Sequence, residues 1–325
     1  MLRLLAVDGS SLAHRAWHST RDDPAAPADD LVAVLAAVAS MLASTWRYGP
    51  YDVALVALDH PANRRRDLFP AYKANRPPTD PALRTVLDGL PGALAAAGVP
   101  VRVQAGTEAD DLLAAAADDA DRRGWATDLL SSDRDLLALV GPRVRLLRPR
   151  RRFSDLAVED AAAIERTHGV PPAAYRDLAA LRGDPSDGLD GAPGIGPATA
   201  ARLLRAFGDV PALYRALADL PPRTAEALRR GRDAVERNLL LMAPLPHLDA
   251  DLDGARAAGP PLAGLVADLA DRGAEAAAGR LRRALEGRGG TPAPPGPARP
   301  PTTASGAAAV PPPMPPMPPP PEPPD

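Results

Sequence analysis

Short apolar runs that end on an acid recur through the first half of the chain. Residues 2–7 are apolar and stop at Asp8-Gly9, which predicts a buried strand entering a turn. Residues 52–58 repeat the pattern and stop at Asp59, and residues 126–130 are followed by Asp133 and Asp135. Residues 99–103 add a further strand, and the Ala/Leu/Val spacing at 31–46, 83–97 and 108–123 predicts helices between them. Strands alternating with helices imply βαβ units and a mostly parallel α/β sheet. From residue 154 helices dominate, predicted at 160–167, 172–181, 198–207, 210–217, 224–230 and 232–242. The seam is expected near residue 153, with an α/β half at 1–153 and a helical half at 154–290.

Composition changes this picture at the C-terminus. Residues 291–325 hold 17 of the 41 prolines and three charged residues, so they are expected to be a disordered tail with no core. The absence of Cys excludes thiol nucleophiles, disulfides, thiolate zinc sites and iron–sulfur clusters. The first apolar run is too short for a signal peptide, and no window approaches 18 uninterrupted apolar residues. The expectation is a soluble, cytoplasmic protein.

A net charge of −3 taken alone argues against nucleic acid, but the charges are unevenly placed. There are 37 Arg and one lysine, Lys73; arginines gather at Arg64-Arg65-Arg66 and at Arg148, Arg150, Arg151 and Arg152. Acids gather elsewhere. In a parallel sheet, ligands bind at the carboxyl ends of the strands. Asp8, Asp59, Asp133 and Asp135 follow strands there, and Glu108, Asp110 and Asp111 open a helix after another strand. Asp184 and Asp187 lie in the loop GDPSDGLDG. An extended backbone would point Asp133 and Asp135 to one side, and helical spacing would put Glu108 and Asp111 on one face. Acids at helix starts often merely cap them, but capping does not account for nine carboxylates at one sheet edge. Such a set needs cations, and an oxygen-only donor set suits Mg²⁺ or Mn²⁺. Two such ions roughly 4 Å apart clamp the attacking and leaving oxygens of a phosphodiester.

Two further segments point to nucleic acid. Gly194-Ile195-Gly196-Pro197 feeds a helix beginning Ala198-Thr199, where free backbone N–H groups receive phosphate without reading sequence. Between residues 64 and 81, Phe69, Tyr72, Lys73 and Arg76 interleave aromatics with cations, a combination suited to a single strand. No P-loop or dinucleotide fingerprint is present, and His14 and His18 lack a third ligand for zinc.

These residues carry a resemblance to the 5′ nuclease (flap endonuclease) superfamily, especially the 5′→3′ exonuclease domain of bacterial DNA polymerase I. The matching text is VDGSSLAHR (7–15), ALDHPANRRRDLFPAYKANRPPT (57–79), TEADDLLA (107–114), LLSSDRDLLALV (129–140), LRGDPSDGLDGAPGIGPATAARLL (181–204) and RNLLLMAPLP (237–246). The resemblance implies a PIN-like α/β nuclease domain and a helix–three-turn–helix element, at about 181–207, that grips duplex DNA. It implies one metal ion among Asp8, Asp59, Glu108, Asp110, Asp111 and Asp133, and a second among Asp133, Asp135, Asp184 and Asp187. Residues 64–81 would be an arch or clamp around the free 5′ strand. There Tyr72 would stack near the scissile nucleotide, and Lys73 and Arg76 would contact its phosphate. Arg15, Arg64, Arg66, Phe69, Gly194, Ile195, Gly196, Thr199 and Arg202 would contact DNA, with a monovalent cation at the hairpin.

The expected activity is 5′→3′ exonuclease and 5′-flap endonuclease by a two-metal mechanism, acting as a monomer and without nucleotide cofactor. The chain departs from the family pattern at Gly188, where an Asn is usual, and at Pro197-Ala198-Thr199, where a Lys or Arg is common. No polymerase text follows, so a free-standing nuclease is expected. The alternatives are a non-catalytic binder of branched DNA, which would have lost carboxylates, and a PIN-type ribonuclease, which would lack the hairpin half.

Overall fold

The computed structural model describes residues 1–21, 23–150, 155–260 and 262–287. The proline-rich tail and Arg151–Arg152 fall outside the described residues. Strands β1 (Arg3–Asp8), β2 (Val53–Ala57), β3 (Val101–Arg102) and β4 (Ala126–Leu130) pair in parallel in the order β3-β2-β1-β4. The expected mostly parallel sheet is therefore present. Beyond β4, β5 (Val144–Pro149) continues it in parallel, and β6 (Leu156–Glu159) closes that edge antiparallel. Neither strand was expected. Arg145 and Arg148 interrupt the apolar pattern of β5, yet both pair sideways, with Asp128 on β4 and Glu159 on β6.

Successive side chains leave opposite faces of a strand. In β1, Leu4 and Ala6 enter one core while Leu5 and Val7 enter the other. A parallel sheet covered on both faces reads as unbroken apolar text, which is why its inner strands are visible in the sequence. One face carries α1 (Gly9–Thr20), α2 (Asp30–Thr45) and, past the short α3 (Arg64–Leu68), α4 (Pro81–Ala96). The other carries α5 (Ala109–Arg122). Residues Asp30–Tyr48 are long and apolar enough to cross a membrane on length and hydropathy, but α2 is packed in this core against α1, α4 and the C-terminal helices.

The C-terminal helices, expected to follow a seam near residue 153, pack into the same cores as the α/β half. The helices α6 (Ala161–His168), α7 (Tyr175–Arg182), α8 (Pro197–Phe207), α9 (Val210–Arg215), α10 (Pro222–Arg230), α11 (Arg232–Leu241) and α12 (Leu252–Ala257) share the core of α5. The last two, α13 (Ala263–Asp271) and α14 (Glu275–Glu286), return to pack on α2. The physical reason is area: two-sided burial of the sheet needs apolar cover that the first half does not supply alone.

Between α7 and α8 lies a tight antiparallel hairpin of two-residue strands, β7 (Gly183–Asp184) and β8 (Leu189–Asp190). Gly183 has φ of +79°, and a Cβ there would stand 2.5 Å from the Gly191 nitrogen, so only glycine fits. The hairpin is tied to α11 by Asn238, which is fully buried and donates to the carbonyls of Ala180 and Asp190 at 3.1 and 2.9 Å. Truncating Asn238 to Ala leaves those carbonyls without this donor. The expected loss is about 1–3 kcal/mol, measured as a lower urea midpoint at unchanged slope. An unchanged midpoint would show that the hairpin is held without it.

Candidate active site

Because β2, β1 and β4 are neighbours, their carboxyl ends bring Asp8, Asp59 and Asp133 to one edge of the sheet. Asp8 caps α1, accepting from the Ser11 nitrogen at 2.8 Å, and its other oxygen accepts from Ser131 Oγ at 2.6 Å. Asp59 accepts from the Ala109 nitrogen at 2.8 Å and so caps the start of α5 from a neighbouring strand. Burial, with Asp59 and Asp133 adding to it, pushes the Asp8 carboxyl up to about 7. Burial likewise raises Asp135 to about 7, reinforced by Asp133, Asp187 and Asp184. Asp135 is not in the extended backbone that was expected for it. Asp135 opens a 3₁₀ turn and its N–H donates to Asp133 Oδ1 at 2.9 Å, yet both acids stay at the site. Asp184 and Asp187 arrive on the hairpin, with Asp184 Oδ1 accepting from Ser186 N and Oγ.

The basic segment is folded into this cluster rather than held away from it. Arg65, which sequence reasoning did not single out, is 4% exposed and makes two 2.7 Å bonds to the Asp111 carboxylate. It also stands 3.1 Å from Glu108 and donates to the Leu241 carbonyl at 2.6 Å. Asp111 further accepts from the nitrogens of Glu108 and Leu245, each at 3.0 Å. Four donors therefore share the two oxygens of Asp111. Asp111 was expected among the metal-ligating acids; in this arrangement it meets the site through Arg65 and Glu108.

Lys73 Nζ donates to Glu108 Oε1 at 2.5 Å and stands 4.0 Å from Asp187, while the Tyr72 hydroxyl donates to Glu108 Oε2 at 2.9 Å. Burial alone would raise the Glu108 carboxyl, but Lys73 and Arg65 more than offset it and hold it below the usual range. Arg76 donates to Asp187 at 2.6 Å, and the Lys73 backbone N–H, at φ of +57°, donates to the Asp187 carbonyl at 2.8 Å. Tyr72 is 5% exposed and packs with Leu189 and Leu241, so in this arrangement its ring is not open for base stacking as expected. Phe69 is covered by the Arg237 guanidinium, 4.4 Å from its centroid, whereas Arg64 and Arg66 are exposed on α3. Gly188, the departure from the family pattern, sits at φ of +69°, and a Cβ there would approach the Ala71 carbonyl to 3.1 Å. Asn75 stands beside it and donates to the Pro185 carbonyl at 2.7 Å.

The donors fit hard divalent cations. All are carboxylate oxygens, and Asp110 keeps Oδ1 buried without a hydrogen-bond partner although the residue is partly exposed. Burial pushes the Asp110 carboxyl well above its usual range, with Glu108 and Asp111 adding to this against Arg65. Among the described residues no three acid or imidazole side chains converge closely enough to share one ion as they stand. The cations Arg65, Lys73 and Arg76 hold several of these carboxylates apart.

At the glycine turn, Gly194 has φ of +75° and Gly196 caps α8 without a side-chain bond, so the Ala198 and Thr199 N–H groups behind Pro197 have no side-chain cap. Thr199 is half-buried and Arg202 exposed there, but the Ile195 side chain is 5% exposed and anchors the turn in the core. Any contact it makes is through its backbone. Arg15 is half-buried on α1.

Residues 3–168 match the model of the 5′-3′ exonuclease N-terminal, resolvase-like domain, and residues 170–257 match the 5′-3′ exonuclease C-terminal SAM fold. The 5′-3′ exonuclease of Streptomyces coelicolor is 34% identical over 248 residues, covering 70% of this chain and 79% of that one. DNA polymerase I of Mycobacterium leprae is 35% identical over 237 residues, covering 72% of this chain and 26% of that one. The chain thus spans about a quarter of the length of that polymerase. The D15 protein of bacteriophage T5, co-crystallised with metal ions, aligns over 87% of this chain and 98% of its own with a TM-score of 0.60. At 20% identity that likeness speaks for the fold alone. With both of its domain models matched in order across the α/β half and the hairpin half, the chain belongs to the 5′-3′ exonuclease family.

Proposed function

We propose that this chain hydrolyses DNA phosphodiesters as a 5′→3′ exonuclease and 5′-flap endonuclease, dependent on divalent metal. The observation that carries the reading is the meeting of carboxylates from three adjacent strand ends, the α5 start and the β7–β8 hairpin at one sheet edge. A non-catalytic binder has no use for so many carboxylates gathered at one edge. The α8 turn beside them argues against a nuclease that lacks a duplex-binding half.

Asp8, Asp59, Glu108, Asp110 and Asp133 would hold one Mg²⁺, and Asp133, Asp135, Asp184 and Asp187 a second, with Mn²⁺ an acceptable substitute. When bound, the ions supply charge for the phosphate and a polarised water. The chain's own residues then have distinct tasks. Arg65 fixes Asp111 and Glu108, so the acid edge is preorganised. Lys73 and Arg76, seated on Glu108 and Asp187, bring positive charge to the place where a phosphate would lie. Tyr72 orients Glu108 through its hydroxyl. The uncapped N–H groups of α8, with Thr199 and Arg202, would take phosphates of the duplex, and the turn at Gly194–Gly196 would suit a monovalent cation. Arg64, Arg66 and Phe69 would border the free 5′ strand, and Arg15 would add a contact from α1. A monomer acting in the cytoplasm on flaps and branches completes the reading.

Asp133 belongs to both proposed sets and is exposed to solvent, so Asp133→Asn should remove nearly all cleavage while branched-DNA binding persists. Cleavage of a 5′-labelled flap in Mg²⁺, beside a chelator-treated sample, measures this. Near wild-type cutting by the variant, or undiminished cutting in chelator, would sink the metal reading. A second expectation concerns Lys73. Lys73→Ala should lower single-turnover cleavage by ~10²-fold or more, the usual scale for a lost transition-state charge contact, with binding little changed. Lys73→Arg should restore only part of the rate, because a guanidinium fork would pair both Glu108 oxygens. A Lys73→Ala rate within about threefold of wild type would show no such contact.

A further inference from the structure

An open groove of about 740 Å³ runs between the acid edge and the start of α8. Its walls include Ser132, Asp133 and Arg134 on one side, Arg182 and Asp184 on another, and Pro197 at the helix start. Pro197 has no backbone N–H and no charge, so at this point the helix start offers less to a phosphate than a Lys or Arg would. Cations in the groove must come from elsewhere.

Arg134 and Arg182 are those cations. Arg65, Lys73, Arg76 and Arg148 each have a carboxylate within 3.1 Å. Among the described residues neither Arg134 nor Arg182 forms an ion pair, although Asp133 and Asp184 line the same groove. Arg134 is exposed. Arg182 is half-buried, with its guanidinium 5.8 Å from the centroid of the Tyr175 ring. That ring is fully buried and braced edge-on by His168 at 5.0 Å. The guanidinium is held against Tyr175 by its ring and by its hydroxyl, and a planar guanidinium carries five N–H donors, more than that one contact uses. Burial pushes the His168 imidazole down, and Arg182 and, more weakly, Arg134 and Arg148 add to this against Glu159, so both groove arginines lie close enough to act on it. Ser132 Oγ, in the same wall, is buried without a hydrogen-bond partner.

We propose that Arg134 and Arg182 are a phosphate-binding pair that holds the nucleic-acid backbone in the stretch between the carboxylate edge and the α8 turn. The proposal rests on the nucleic-acid reading of the site. It gives the chain a cationic contact from α7 and the Asp133–Asp135 turn in place of the one that Pro197-Ala198-Thr199 does not make. Both contacts are to phosphate and so carry no sequence preference.

Removing a phosphate contact lowers the steepness with which affinity falls as salt rises, by about one per contact in a plot of log K against log salt. The test is fluorescence anisotropy of the full chain on a labelled 5′-flap duplex in Ca²⁺, over a KCl series. Arg134→Ala and Arg182→Ala should each reduce the slope by about one and the double variant by about two, while Arg182→Lys should keep it. Arg280→Ala, on α14 at the opposite face of the sheet, should leave it unchanged. Arg134 is exposed, so its variant tests the proposal even if Arg182→Ala lowers the melting temperature. A double variant with wild-type slope, or an equal fall in Arg280→Ala, overturns the proposal. Wild-type protein that does not bind the flap overturns the nucleic-acid reading along with it. Wild-type protein that binds with the expected slopes but does not cut in Mg²⁺ supports the pair and overturns only the nuclease reading.

Discussion

Like charges meeting at a partly buried edge set the terms for the rest of this molecule. Two unit charges 4 Å apart interact by about 4 kcal/mol at the effective dielectric near a protein surface, against a total stability of roughly 5–15 kcal/mol for a domain. Asp8, Asp59 and Asp133 are forced together by the adjacency of β2, β1 and β4, and Asp135, Asp184 and Asp187 close on them from one side. The fold answers in two ways. Some carboxylates are tied to backbone N–H groups and hydroxyls, as Asp8 is to Ser11 and Ser131. Others are neutralised by one short basic segment, Arg65 to Arg76, which crosses the edge and meets Asp111, Glu108 and Asp187 in turn.

That segment explains several features that look unrelated in isolation. Tyr72 is buried because the chain must turn beneath Glu108 to bring Lys73 onto it, and the left-handed backbone at Lys73 marks the turn. Leu241 and Leu245, at the end of α11 and beyond, supply backbone partners to Arg65 and Asp111, so the C-terminal helices brace the acid edge. Asn238 on the same helix fixes the hairpin that carries Asp184 and Asp187. The two halves of the chain therefore share one site as well as one core.

Charge that is already paired and charge that is open divide the surroundings of the site. Arg65 is enclosed and structural, Lys73 and Arg76 are seated on acids at its margin, and Arg134 and Arg182 line a groove with no ion pair among the described residues. Net charge conceals this division, because an excess of acids over the whole chain coexists with arginines gathered beside the acid edge.

The sequence by itself determined the inner strands, the acids that follow them and the glycine turn before α8. These are local properties: a strand covered on both faces must be continuously apolar, and the residue after it must lie at the sheet edge. It also determined which acids could gather, since Asp8, Asp59, Asp133 and Asp135 all inherit their place from a strand end. It did not reveal β5 and β6, whose arginines break the apolar pattern and are compensated only by Asp128 and Glu159 on neighbouring strands. It did not reveal the pairing of Asp111 with Arg65, nor separate Arg65 from the exposed Arg64 and Arg66 beside it. Only the tertiary structure decided those, because the partners of Arg65 lie 46 and 176 residues away in the chain. Periodicity reports which side of an element faces inward, whereas pairing between distant side chains depends on where the folded backbone brings them.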